Sequence, residues 1–234
     1  SVLVEGLTFL GTAGNNVLDF TRSVLFLGGP QAVVRDCDFI NLAVVAPTNV
    51  GADYAENKGY GIIVGFEADL LVEKCRFGGN STWQCPAIES YGSESLTVRD
   101  CHQIDYGYYG ADTLTKVGGT YTNYHWIRAI LPKTMSASGW NRSKVLIEGC
   151  RFDEAVYNGI CVDGFHFVEI KDIGVNLGIV DNQIYLKGVE CVSIKDCHSI
   201  LANHAATQSA KFENCGEVKI DGYKHANGAL TIET

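Results

Sequence analysis

One six-residue phrase recurs along this chain, and it constrains the fold more than any other feature. Near the C-terminal end it reads Val192-Ser193-Ile194-Lys195-Asp196-Cys197. Copies stand at Val2–Leu7, Ala32–Cys37, Leu70–Cys75, Leu96–Cys101, Val145–Cys150, Val168–Ile173 and Val218–Tyr223, and a degraded copy at Thr115–Thr120. The steps between copies run from 19 to 38 residues. Self-similarity at this period is the mark of a solenoid, in which each repeat buries its apolar face only against its neighbours.

Within the phrase, columns one and three are aliphatic and columns two and four are more polar. This period-two alternation specifies a strand with one buried face. Column three is β-branched throughout (Val4, Val34, Val72, Val98, Ile147, Ile170, Ile194, Ile220), as strands prefer. Column five is mostly Asp or Gly, which tolerate a sharp bend, so column six turns back toward the interior. An aromatic follows two positions later at Phe9, Phe39, Phe77 and Phe152. A second strand precedes each phrase by nine residues, beginning at Gly61, Ala87, Gly159, Gln183 and Ser209. Strands of identical pattern, one per repeat, must stack in parallel. The expected fold is therefore all-β: a single-stranded parallel β-helix of about eight or nine turns with loop insertions. Helical spacing of three and four is absent, as is a leucine-rich frame. A solenoid makes residues 1–234 one domain, and both ends read as partial repeats, as expected of a piece of a longer chain.

Two columns invite a chemical reading and receive a structural one. Column four (Glu5, Arg35, Glu73, Arg99, Glu148, Lys171, Lys195, Asp221) is expected to be an outward ladder of cross-strand charges. Five of the nine cysteines (Cys37, Cys75, Cys101, Cys150, Cys197) share column six and are expected to be reduced core thiols, which fits a reducing compartment during folding. His102 and His198 follow two of these cysteines and read as surface residues. The net charge of -9 argues against a nucleic-acid partner. No apolar run of 18 residues occurs, so no membrane partner is expected.

These phrases, for example Gly159-Ile160 through Val168-Glu169-Ile170-Lys171-Asp172, resemble the right-handed parallel β-helix, or pectin lyase-like, superfamily over nearly the whole chain. That superfamily includes pectate lyases, polygalacturonases, alginate epimerases and phage tailspikes. The resemblance implies a right-handed coil and a carbohydrate-active protein, closest in character to a tailspike depolymerase. Such a protein would bind and cleave a surface or cell-wall polysaccharide, would sit on a virion or outside the cell, and would trimerise. The catalytic signatures of polygalacturonases, pectate lyases and alginate epimerases do not occur here, so no catalytic residue carries over from them. A secreted polysaccharide lyase or C5-epimerase, and a non-enzymatic structural or adhesion segment, are the alternative readings.

Function in a solenoid gathers in its insertions. These fall at 40–60, 78–86 and 102–144, and the last is the richest in aromatic and charged side chains. Flat sugar faces pack on aromatic rings, while polar tips and charges bond the hydroxyls. The expected substrate-binding residues are therefore Trp83, Tyr108, Tyr109, Tyr124, His125, Trp126, Arg128 and Trp140. Hydrolysis needs two carboxylates across the bond, for which Asp105, Asp112, Asp153 and Glu154 are the candidates. A lyase would instead use Lys116, His125 and Arg128 near a uronate. No metal motif or cofactor motif is present; a lyase alone would bring in Ca2+.

Overall fold

The computed structural model describes residues 1–10, 23–40, 61–78, 86–104, 125–132, 142–153, 158–176, 182–200, 208–225 and 229–233. The described residues form strands joined by turns and bends, with no helix among them. The strands fall into three sheets of eight, and every third strand in chain order joins the same sheet.

The first sheet holds β1 (Val2–Glu5), β4 (Gln31–Arg35), β7 (Asp69–Glu73), β10 (Ser95–Arg99), β13 (Lys144–Glu148), β16 (Phe167–Lys171), β19 (Cys191–Lys195) and β22 (Glu217–Asp221). The second holds β2 (Thr8–Leu10), β5 (Asp38–Ile40), β8 (Arg76–Gly78), β11 (His102–Ile104), β14 (Arg151–Asp153), β17 (Gly174–Asn176), β20 (His198–Ile200) and β23 (Lys224–His225). The third holds β3 (Ser23–Gly28), β6 (Gly61–Phe66), β9 (Ile88–Tyr91), β12 (His125–Ile130), β15 (Asn158–Asp163), β18 (Asn182–Lys187), β21 (Gln208–Glu213) and β24 (Ala229–Glu233). Every pairing is parallel, which is the pattern of a solenoid-like β fold.

The first sheet is the repeated phrase. Val2, Ala32, Leu70, Leu96, Val145, Val168, Val192 and Val218 pair in one continuous column. Column five is the corner to the second sheet. All eight residues there (Gly6, Asp36, Lys74, Asp100, Gly149, Asp172, Asp196, Gly222) have positive φ, between 49° and 67°. Glycine adopts this left-handed conformation freely and Asp tolerates it, which explains the composition of the column; Lys74 carries strain instead. At Gly149 and Gly222 a Cβ would also strike the carboxylate of Asp100 and Asp196, one repeat earlier.

The core lies inside the three sheets. Cys37, Cys75, Cys101, Cys150 and Cys197 are buried and free. Each thiol donates to the column-three carbonyl one repeat back, as Cys75 does to Val34 and Cys197 to Ile170, both at 3.7 Å. Burial pushes the Cys197 thiol up to about 11. Beside this ladder, the Phe9, Phe39 and Phe77 rings stack at 4.9 and 5.2 Å between centroids. On the outside, column four forms the expected charge ladder. Arg35 reaches Glu5 at 2.7 Å, and Glu148 takes Lys171 at 2.9 Å and Arg99 at 3.6 Å.

Three expectations need correction. Leu96 pairs directly with Val145, so the degraded phrase at Thr115–Thr120 supplies no rung between β10 and β13; it lies outside the described residues. The stretch 102–144 also keeps time better than its sequence suggests, because β11 and β12 within it join the second and third sheets in register. Finally, the nine-residue spacing is not constant. Ile63 pairs with Ile88, yet Ile63 stands seven residues before Leu70 and Ile88 eight before Leu96. The corner after β6 is thus one residue shorter, and Glu67 turns it with φ of 51° where Gly92 does so after β9.

Candidate functional site

The chain connectivity singles out the third sheet. The connections 11–22, 41–60, 79–85 and 105–124 all run from a second-sheet strand into a third-sheet strand, and 133–141 leaves the third sheet for the first. These long connections therefore enter or leave through the ends of the third-sheet strands.

Alternation along these strands separates two faces. Ile63, Ile88, Ile127, Ile160 and Ile184 pair in one column of the core. The next column faces outward and reads Phe26, Val64, Glu89, Arg128, Cys161, Tyr185 and Lys211. Two residues further on, a second outward column reads Gly28, Phe66, Tyr91, Ile130, Asp163, Lys187 and Glu213.

This face has three parts. At its N-terminal end the Phe26, Phe66 and Tyr91 rings stack at 5.8 and 5.5 Å, with Phe26 exposed and Phe66 half-buried. In the middle, Glu89 and Arg128 are 0% and 1% exposed although they point away from the core, and their charged atoms lie 3.8 Å apart. Val64 and Cys161 in the same column are equally buried. At the C-terminal end Glu213 gathers cations and a phenol. Tyr185 Oη donates to Glu213 Oε2 at 2.8 Å, Lys187 Nζ lies 3.0 Å from Oε1, and Lys211 Nζ lies 3.6 Å from Oε2. Lys211 also stands 5.7 Å from the centre of the Tyr185 ring.

The electrostatics of the cluster follow from those contacts. Hydrogen bonds from Lys187 and Tyr185 hold the Glu213 carboxyl below the usual carboxylate range. The same carboxylate raises Lys187. Burial, reinforced by Glu213, pushes the Tyr185 phenol well above its ordinary value. Glu213 is thus a fixed anion with two hydrogen-bond donors and a second cation nearby, suited to positioning its neighbours rather than to taking a proton. Glu89 is likewise engaged, by Arg128. Ring faces at one end and charge-assisted donors at the other are what a polyhydroxylated ligand requires.

The residues expected from sequence are distributed as follows. Trp83, Asp105, Tyr108, Tyr109, Asp112, Lys116, Tyr124, Trp140 and Glu154 lie outside the described residues. Asp153 is on the second sheet, paired with Asn176, and His125 opens β12, paired with Asn158. Arg128 is on the candidate face. Trp126 is not a free sugar platform: it is 4% exposed and packs with the hydrophobic core. A large indole in a strand is stabilised most by complete burial. Glu89, Tyr185 and Lys211 were missed, although a simple signal marks them. With Cys161 they stand seven residues before column one of the following phrase. Among the described residues no group of three or more His, Cys, Asp or Glu side chains is arranged to hold a metal ion.

No protein-family model, no curated protein and no solved structure matches this chain.

Proposed function

We propose that this chain is a right-handed, single-stranded parallel β-helix of the pectin lyase-like kind that binds a polysaccharide along the outward face of its third sheet. The observation that carries the reading is that face itself. An aromatic stack, a buried ion pair and a charged cluster share two adjacent columns on the sheet that the insertions enter. A glycan would make its contacts at the two accessible ends of this face, with rings at one and Lys, Tyr and Glu groups at the other. Binding is the primary activity in this reading. Of the outward carboxylates Glu89, Asp163 and Glu213, the first and last are committed to ion pairs; the candidates for cleavage of the glycan are Asp105, Asp112, Asp153 and Glu154.

Incubation with a panel of bacterial and plant polysaccharides tests the proposal. Affinity electrophoresis should show retardation on at least one polymer, weakened by Phe66→Ala and by Lys211→Ala with the fold intact. Equal retardation of both variants and the parent would place binding elsewhere. New reducing ends would identify a hydrolase, and an unsaturated uronide product a lyase, for which Ca2+ would then be the cation to test.

A further inference from the structure

We propose that the outward face of the first sheet is a self-association surface, on which a second copy of this chain docks antiparallel about a two-fold axis. The face has two relevant columns. Column two, between the two core columns and therefore outward, reads Leu3, Val33, Leu71, Thr97 and Leu146 over the first five rungs. Leu3 is 56% exposed and the other four are half-buried, so the stripe is open along its length. Beside it, column four alternates in sign over six rungs: Glu5, Arg35, Glu73, Arg99, Glu148, Lys171.

That alternation selects the partner. A two-fold axis along the strand direction, midway between β7 and β10, lays column four of one copy on column four of the other with the rung order reversed. Glu5 then faces Lys171, Arg35 faces Glu148 and Glu73 faces Arg99, each contact occurring twice. At the same time Val33 meets Leu146 and Leu71 meets Thr97, so the four central rungs give an apolar centre flanked by matched charges, while Leu3 meets Glu169 at the two ends. Shifting one copy by a single rung sets Glu against Glu and Arg against Arg. Turning the copies parallel, about an axis along the rod, instead lays column four on the column of Gln31, Asp69, Ser95 and Lys144: Glu148 meets Lys144, but Glu73 meets Asp69 and the two arginines meet Gln31 and Ser95. The antiparallel arrangement therefore matches all six charges, which neither of these alternatives does. A second copy also has the same rung spacing of about 4.8 Å, so the match persists over these six rungs. Six rungs give a face about 29 Å long and about 16 Å wide. That is small beside a permanent interface, so the association is reversible and concentration-dependent.

Sedimentation equilibrium of the full chain over a range of concentrations tests this. The expected result is a monomer–dimer equilibrium. Leu71→Lys, or independently Leu146→Lys, should raise the dimer Kd by about tenfold or more while leaving the unfolding midpoint unchanged. Arg35→Glu and Glu148→Arg should each weaken the dimer by about tenfold, and the double substitution should return it to within about threefold of the parent. Positions 35 and 148 are three rungs, about 14 Å, apart in one chain, so the ladder within the chain does not produce that compensation. A monomer at every concentration, a mass of three copies, or two substitutions whose effects add instead of compensating would overturn the proposal.

Discussion

Replacing Glu89 and Arg128 together should cost far less than replacing either alone. Their charged atoms are 3.8 Å apart and both side chains are excluded from solvent. At that distance two unit charges attract by about 4 kcal/mol at an effective dielectric constant of about 20. Desolvation offsets much of this, at several kcal/mol per ion, so the pair contributes little net stability. Removing one member is different, because it leaves a buried charge. Arg128→Met and Glu89→Leu should each destabilise by about 3–5 kcal/mol, whereas the double variant should fall within about 1 kcal/mol of the parent. The assay is urea unfolding of all four proteins, followed by circular dichroism and by tryptophan fluorescence. Coincidence of the two probes checks that the transition is cooperative, which a stacked repeat protein does not guarantee. A double variant that costs the sum of the singles would refute the coupling. Singles costing under about 1 kcal/mol would show that the charges are hydrated after all.

Other consequences follow from the repeat. Burial raises the Cys197 thiol to about 11. Its contribution to stability is therefore complete below the unfolded thiol range near 8.5 and is lost as pH rises through the folded value; Cys197→Ala should flatten the alkaline limb of a stability–pH profile, and an unchanged limb would refute this. Glu213 is held below its ordinary range by Lys187 and Tyr185. Its contribution is present above the unfolded carboxylate range and fades as pH falls through the lower folded value, so Glu213→Gln should reduce stability at neutral pH and converge with the parent in acid. At the strained corner Lys74 has φ of 52°. Lys74→Gly relieves about 1–2 kcal/mol of strain but adds unfolded-chain entropy, so the expected result in thermal unfolding is neutral to slightly stabilising. Lys74→Val should be clearly destabilising, because a β-branched residue fits that conformation worst.

Much of the architecture is legible in the chain because a stacked repeat forces the same local problem at every rung. Each strand must bury columns one and three against identical neighbours. Each corner must pass through a left-handed residue, and each column-six side chain must fit the same interior slot. The aliphatic columns, the Asp and Gly corners, the thiol ladder and the Glu5–Arg35 type of charge pair therefore follow from pattern alone. What no local pattern contains is which rung follows which. Leu96 pairs with Val145 across 49 residues, past a phrase that resembles a rung and supplies none between them. Strand β12 shows the same limit: His125-Trp126-Ile127-Arg128-Ala129-Ile130 does not alternate cleanly, because side chains on both of its faces are buried. Whether Trp126 meets sugar or core, and whether Glu89 meets Arg128 rather than water, depends on which strands connections of free length bring side by side. Length carries no periodic signal, so these contacts arise only when the rungs stack.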